Sequence, residues 1–294
     1  MTIGRREFLQ QSALASSVLM TGHSEVSASK KAATRLRDVG WVWEGQGLDP
    51  HVPPSIYGLG QGTTYLGLQR ANFLFHPTDE YALGLLADLK EITCDITKWE
   101  TFWDKDGHLR FDCFGGAERK MDEAKRISLL SKTFPNITGV FFDDLKGRME
   151  HDKVASEQIA EIFAAAHTYN PNLKRWAVVY TGELGEVALW KSLAPSIDVV
   201  NLWIWHSKDI ETQESEVNRA REIFPDHEFI MGCYLRDYTM VAPIPVEQVM
   251  LQMKGVLRML EKDLIQGFSI LGSVLIDSHR PQADAVRDFI GANS

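Results

Sequence analysis

Cysteine is scarce in this chain. Only Cys94, Cys113 and Cys233 occur in 294 residues, widely spaced and odd in number. No disulfide framework or Cys-x-x-Cys metal module can be built from them. Cys94 and Cys233 sit inside apolar runs and read as small core residues. Positive charge is in deficit, with 31 Lys and Arg against 40 Asp and Glu and a formal charge of −9. A general nucleic-acid binder needs clustered cations and is excluded; an acidic protein suits a neutral or cationic substrate. No apolar run approaches the roughly 20 residues that span a bilayer, so no membrane span is expected in the mature chain. P-loop, complete GxGxxG and Gly-x-Ser-x-Gly patterns are lacking, so no nucleotide cofactor or serine nucleophile is indicated. Neither HxH nor HExxH occurs, and no metal or other cofactor is expected. His76, His206 and His279 with Asp143 or Asp277 are the residues from which a metal site would be assembled.

What is there begins at the N-terminus. Gly4-Arg5-Arg6-Glu7-Phe8-Leu9-Gln10 precedes a mild apolar run, Ser12 to Met20. It is similar to a twin-arginine export signal, departing from it at Gly4 and Gln10. Val26-Ser27-Ala28 offers a small-residue cleavage site. The expected organisation is a leader over residues 1–28 and a single catalytic domain over 29–294. That leader implies the twin-arginine export machinery as a partner and a periplasmic or extracellular destination.

From Val39 onward, short β-branched or aromatic runs alternate with segments of helical spacing. The strand runs are Val39–Glu44, Ala71–His76, Ile92–Trp99, Thr138–Asp143, Trp176–Thr181, Ile197–His206, Phe229–Tyr234 and Phe268–Ile276. Helices are predicted over Thr78–Lys90, Ala117–Lys132, Lys153–Tyr169, Leu184–Leu193, Ile210–Phe224, Val246–Asp263 and Gln282–Ile290, with a short one near Gly62–Leu68. Met250, Met253, Leu257 and Leu260 read as a core stripe. Alternation of this kind implies a parallel sheet with right-handed crossovers. Eight units in about 265 residues fit an α/β (β/α)₈ TIM barrel. A doubly wound open sheet is the rival, but Gly45-Gln46-Gly47 opens no helix.

In such a barrel the reacting groups come from the carboxyl ends of the strands. Those ends carry Trp43 and Glu44, His76, Trp99, Asp143 and Asp144, Tyr180, Trp203 and Trp205, Tyr234 and Asp237, and Asp277. In the sixth run Asn201, Trp203 and Trp205 share one face and Val200, Leu202 and Ile204 the other. Indoles at a barrel mouth suit the C–H faces of a sugar ring; equally, Trp203 fills core volume. The third run has a polar face of Thr93, Asp95, Thr97 and Trp99, which is costly unless hydrogen-bonded.

The stretch Gly139-Val140-Phe141-Phe142-Asp143-Asp144 is the sharpest feature. A strand buried on both faces ends in two carboxylates. Close carboxylates repel, so one holds its proton and can act as a general acid. Neighbours on a strand point in opposite directions, so only a turn brings both into one site. Otherwise Asp144 caps a following turn. Glu183 starts the next helix, where the dipole favours an acid, or stands above the site.

Leader, barrel pattern, tandem acids and strand-end indoles together resemble an exported glycoside hydrolase. The tandem acids resemble those of hexosaminidases that use the substrate's own acetamido group as nucleophile. That resemblance implies Asp144 as acid/base and Asp143 as the group orienting the acetamido. It departs from other barrel glycosidases: no DxxDxDxE pattern, no Asn-Glu after the fourth strand and no Glu closing the seventh. Whether cleavage retains or inverts the anomer follows from carboxylate separation, about 5 Å or about 6.5–9.5 Å. The expected function is hydrolysis of an oligo- or polysaccharide. Asp143 and Asp144 are the catalytic candidates. Trp43, Glu44, His76, Trp99, Tyr180, Trp203, Trp205, Tyr234, Asp237 and Asp277 are the binding candidates. The alternatives are a metal-dependent sugar isomerase or epimerase, and a carbohydrate-binding barrel without turnover.

Overall fold

The structure is a computed structural model that describes residues 35–45, 52, 54–113 and 115–294. The expected leader, 1–28, lies outside the described residues. Numbered along the chain, β1 (Gly40–Trp43), β2 (Arg70–Phe73) and β3 (Glu91–Asp95) precede a hairpin of β4 (Trp99–Trp103) and β5 (Leu109–Cys113). Then come β6 (Ile137–Phe142), β7 (Lys174–Tyr180), β8 (Val199–Trp203) and β9 (Glu228–Tyr234). A ribbon of β10 (Arg236–Asp237) and β11 (Ala242–Pro243) leads to β12 (Gly267–Leu271). The helices are α1 (Leu36–Val39), α2 (Leu59–Leu66), α3 (Glu80–Leu85), α4 (Ala117–Leu130), α5 (Leu145–Asp152), α6 (Ser156–Ala165), α7 (Val187–Leu193), α8 (Gln213–Ile223), α9 (Val246–Glu261) and α10 (Arg280–Ala292).

Eight strands close into a barrel in the order β1-β12-β9-β8-β7-β6-β3-β2. All eight neighbouring pairs are parallel. This is the (β/α)₈ architecture expected from the alternation. Each predicted strand run overlaps one barrel strand; β3, β8 and β12 end earlier than the pattern implies, and β7 and β9 begin earlier. Among the described residues no helix is long and apolar enough to cross a membrane.

The interior is layered. Trp41 meets Trp176 edge-on at 4.9 Å low in the barrel; above them Trp43, Phe141, Trp203 and Tyr234 pack with centroids 4.9–5.4 Å apart. A polar layer is fully paired. Asn72 Nδ2 donates to Thr93 Oγ1 (2.7 Å), Ser269 Oγ to Asn72 Oδ1 (2.7 Å), and Trp203 Nε1 to Asn201 Oδ1 (2.9 Å). Pairing removes the cost of burying these groups. Gly232 makes room for Trp203, since a Cβ there would stand 2.0 Å from the indole.

Several elements differ from the sequence reading. The third strand stops at Asp95, not Trp99. Asp95 accepts hydrogen bonds from the backbone N–H of Thr97 (3.0 Å) and Lys98 (2.9 Å), and Lys98 takes φ +51°, so the chain turns outward into the β4–β5 hairpin. That hairpin was not anticipated. Nor was α5, whose sequence LKGRMEHD carries no apolar stripe. On α9 the buried face centres on Val249, Met253, Val256 and Leu260, leaving Met250 and Leu257 on its shoulders.

Candidate active site

Strand β6 delivers Asp143 at the carboxyl end of the barrel, straight after a run of buried residues. Asp144 then adopts φ 47°, ψ 43°. This left-handed conformation is one that Asp tolerates better than most residues, and it breaks the strand alternation. Both acids therefore line the same cavity. The Asp144 carbonyl accepts from the Arg148 N–H (2.8 Å) at the start of α5, but its side chain makes no capping bond. Instead the Asp144 carboxylate accepts from the Tyr180 hydroxyl at 2.6 Å, while Asp143 Oδ2 accepts from Trp99 Nε1 at 2.8 Å.

The electrostatics of the two acids differ. Asp143 is pushed well above the usual carboxylate range, first by burial, then by the charge of Asp144 and by Asp95 beneath it. Asp144 is also raised by burial, but the Tyr180 hydrogen bond and the Arg148 cation pull it back down. Burial raises the phenols of Tyr180 and Tyr234 far above their ordinary value, so both remain donors. A carboxyl pair with such different surroundings holds one proton between them over a range of pH, chiefly on Asp143.

Two adjoining cavities open here. A cup of about 330 Å³ is lined by Trp43, Trp99, Asp143, Asp144, Tyr180, Trp203, Trp205, Tyr234 and Tyr238 among others. Its volume is at the small end for ligand sites, which run from about 300 to 1,000 Å³. A groove of about 650 Å³ shares Trp99, Asp144, Tyr180 and Trp205 with the cup and continues over Asp112, Arg148, His151, Glu183, His206 and Asp209. Asp144 thus stands at the seam and Asp143 in the cup alone. Trp43, Trp203 and Tyr234 are nearly buried and form the floor, whereas Trp205 is 42% exposed at the rim and stacks on Tyr238 at 6.0 Å.

Eight of the predicted site residues meet in the cup: Trp43, Trp99, Asp143, Asp144, Tyr180, Trp203, Trp205 and Tyr234. Four do not line either cavity. Glu44 is buried and accepts from the N–H groups of Leu74 (2.6 Å) and Phe75 (2.8 Å) and pairs with His76. That pairing raises the His76 imidazole, which otherwise faces outward. Asp237 ties its own loop together through Ser207, Thr239 and the Met240 N–H, bonds that hold its carboxyl far below the usual range against the opposing effect of burial. Asp277 accepts from Ser55 Oγ (2.8 Å) and the Ile56 N–H (3.0 Å). Each of these acids serves backbone or neighbouring side chains. Glu183 lines the groove while accepting from the Tyr180 N–H at 3.2 Å; the next α-helix starts beyond it, at Val187. The sequence reading missed Tyr238, Arg148 and Asp112. None of the three carried a signal: Asp112 and Arg148 lie on the hairpin and the helix that the pattern does not mark, and Tyr238 lies beyond the end of β9. No group of His, Cys, Asp and Glu among the described residues is arranged to hold a metal ion.

No family model matches the chain, and no curated protein matches it. Solved structures do. The PgaB (BpsB) glycoside hydrolase domain from Bordetella bronchiseptica aligns over 86% of this chain and 98% of its own, at 11% identity and a TM-score of 0.53. Active domain 2 of the thermostable chitinase from Pyrococcus furiosus, solved with chito-oligosaccharides, aligns over 88% and 97%, at 11% identity and 0.53. The xylanase-α-amylase inhibitor protein XAIP-I, solved with trehalose, aligns over 84% and 97%, at 12% identity and 0.50. At such identities the shared property is the fold. This chain has the barrel of those glycoside hydrolases, and an inhibitor protein has it too, so the fold leaves the chemistry to the residues at its mouth.

Proposed function

We propose that the protein hydrolyses a glycosidic bond in an oligo- or polysaccharide, with Asp143 and Asp144 as the reacting pair. The observation that carries this reading is the pair itself: two carboxyls of unequal proton affinity inside an aromatic cup at the carboxyl end of a (β/α)₈ barrel. Trp205, Trp99 and Tyr238 offer faces for the C–H surfaces of a sugar ring. Tyr234 remains protonated and can donate to a sugar oxygen, while the Tyr180 hydroxyl is committed to Asp144. The cup takes one ring and the groove takes the chain beyond it.

Asp143 is the general acid. Burial and the charge of Asp144 favour its protonated form, and the carboxyl, oriented by the Trp99 N–H at Oδ2, gives that proton to the departing oxygen. Asp144, ionised and oriented by Tyr180, stabilises positive charge at the anomeric carbon and faces the groove from which water enters. This reverses the roles that the hexosaminidase resemblance implies, because the environments of the two acids differ in that direction. The Arg5-Arg6 leader supports export of the folded chain. A reporter fused to residues 1–28 and followed into the periplasm, with Arg5→Lys and Arg6→Lys as control, tests that part.

Reducing-sugar release from a glycan panel tests the hydrolase. Wild type should release sugar, Asp143→Asn and Asp144→Asn should each lose at least about a hundredfold in rate, and a chelator should change nothing. An aryl glycoside with a good leaving group needs no protonation and should recover rate in Asp143→Asn more than in Asp144→Asn. Turnover lost on chelation favours the isomerase instead. Binding without turnover on every glycan favours the non-catalytic barrel.

A further inference from the structure

Beneath the groove lies a chain of buried charge that the proposed hydrolysis does not itself require. Arg148, only 7% exposed, donates from Nη1 to Asp112 Oδ1 (2.6 Å) and Cys113 Sγ (2.7 Å) on β5, and its Nη2 lies 3.7 Å from Asp152 Oδ1. Asp152 is held from the other side by Lys120 on α4 at 2.7 Å, a fully buried lysine that also donates to the Gly115 carbonyl (2.7 Å). The Arg148 guanidinium stacks over the Trp99 ring at 5.3 Å, and that same indole donates to Asp143. One side chain on α5 therefore grips both strands of the hairpin and, through Trp99, reaches the acid.

We propose that Arg148 is a positioning residue: it locks the hairpin so that Trp99 meets Asp143, and as the cation one helical turn beyond Asp144 it decides which of the two acids carries the proton. The proposal rests on the reading of Asp143 and Asp144 as the reacting pair. A buried guanidinium with three anionic or polarisable partners and one aromatic face is a rigid fork in a single orientation, which an ammonium cannot reproduce. Other charged groups face the acids too. Asp95 from β3 disfavours ionisation of Asp143, Tyr180 from β7 favours the Asp144 anion, and Tyr234 from β9 is a neutral neighbour. Among these, Arg148 is the cation, and its effect falls on Asp144. Close to Arg148 itself stand Asp112, Asp152 and Lys120, with His151 bridging Asp112 and Asp152. The Lys120–Asp152 pair spares Arg148 the full pull of Asp152, so its charge is felt at Asp144.

The test needs no substrate. Indole ¹⁵N–¹H spectra of the whole protein are recorded from pH 4 to 9, with the Trp99 resonance assigned by its loss in Trp99→Phe. In wild type that resonance should titrate with Asp143. In Arg148→Met, Asp144 loses its cation and competes for the proton, so the midpoint seen at Trp99 should fall by about one unit and the resonance should broaden as the hairpin loosens. Arg148→Lys should keep the midpoint but not the sharp resonance. If Arg148→Met does not fold, Asp112→Asn cuts the same anchor while leaving the cation, and should broaden the resonance. An Arg148→Met midpoint equal to wild type, or a sharp Trp99 resonance in Asp112→Asn, overturns the proposal. Hydrolysis that fails on every glycan while the titration behaves as described would sink the proposed function and leave the role of Arg148 in the acid pair standing.

Discussion

Asp143→Asn should destroy activity and yet make the protein more stable at neutral pH. Folding moves this carboxyl out of water, beside Asp144 and above Asp95, and its proton affinity rises well above that of an unfolded aspartate, near 3.9. The sign follows from linkage. The folded state binds the proton more tightly, so below about pH 3.9 the wild type carries no penalty at this site. As pH rises from there through the folded value, the penalty grows, and above that value it is complete. It amounts to about 1.4 kcal/mol for every unit by which the carboxyl is raised, or roughly 3–5 °C in melting temperature for a domain of this size. Asparagine removes the titration while its side-chain oxygen still accepts from Trp99 Nε1, and its amide can donate toward Asp144. Thermal melts of both proteins at half-unit steps from pH 4 to 8 give the difference directly. It should be near zero at the acid end, widen in favour of the variant and then level off. A difference that is flat with pH, or a variant less stable than wild type at pH 7, would refute the argument that Asp143 stores strain of electrostatic origin for use in proton transfer.

Tyr180→Phe removes the hydroxyl that stabilises the Asp144 anion. A hydrogen bond to a charged group is worth about 1.5–3 kcal/mol, so Asp144 should ionise about one to two units later, and the acid limb of the pH–rate profile should move to higher pH by that amount. Trp205→Ala should raise KM about threefold to tenfold, as expected for loss of one aromatic stacking partner, with little change in melting temperature because the ring is at the rim. Trp203→Ala, by contrast, empties a buried site and should cost about 3–5 kcal/mol of stability in urea titration, whatever it does to binding.

The barrel was legible in the sequence because its strands are buried on both faces and read as unbroken runs such as Val140-Phe141-Phe142 and Ala177-Val178-Val179. Their ends were less legible. The third strand runs on in pattern through Thr97 to Trp99, but the Asp95 carboxylate bonds to two backbone N–H groups and turns the chain away. The hairpin it leads to is made of two five-residue strands, WETFW and LRFDC, in which Glu100, Arg110 and Asp112 interrupt the apolar residues, so no unbroken core run marks it. Half of the site was legible for a related reason. Aromatic residues at strand ends pack inward because water rejects them, so Trp43, Trp99, Tyr180, Trp203, Trp205 and Tyr234 gather. Carboxylates obey no such rule. Glu44, Asp237 and Asp277 look the same in sequence as Asp143 and Asp144, yet each satisfies loop N–H or hydroxyl donors. Only the positive φ of Asp144, which no pattern announces, separates the pair that faces the cup from the acids that hold loops.

The placement of the two acids also constrains the chemistry. They come from one strand end, and among the described residues no other carboxylate lines the cup; across from them stand Trp205, Tyr234 and Tyr238. A double displacement through an enzyme carboxylate calls for two groups about 5 Å apart on either side of the anomeric carbon. Neighbouring residues that share a proton are poorly disposed to flank it. If Asp143 protonates the leaving oxygen from one side, the attack must come from water or from the substrate itself. The second course fits an ionised Asp144 held by Tyr180, since that anion can accept from the N–H of a 2-acetamido group and press its oxygen toward the anomeric carbon. An intramolecular nucleophile placed in this way has an effective molarity of about 10⁵ M or more. A glycan with 2-acetamido groups should therefore be cleaved at least about a thousandfold faster than its 2-hydroxy counterpart, with the anomer retained in proton spectra of the first product. Comparable rates on the two glycans, or an inverted anomer, would assign the attack to water from the groove and leave Asp144 as its base.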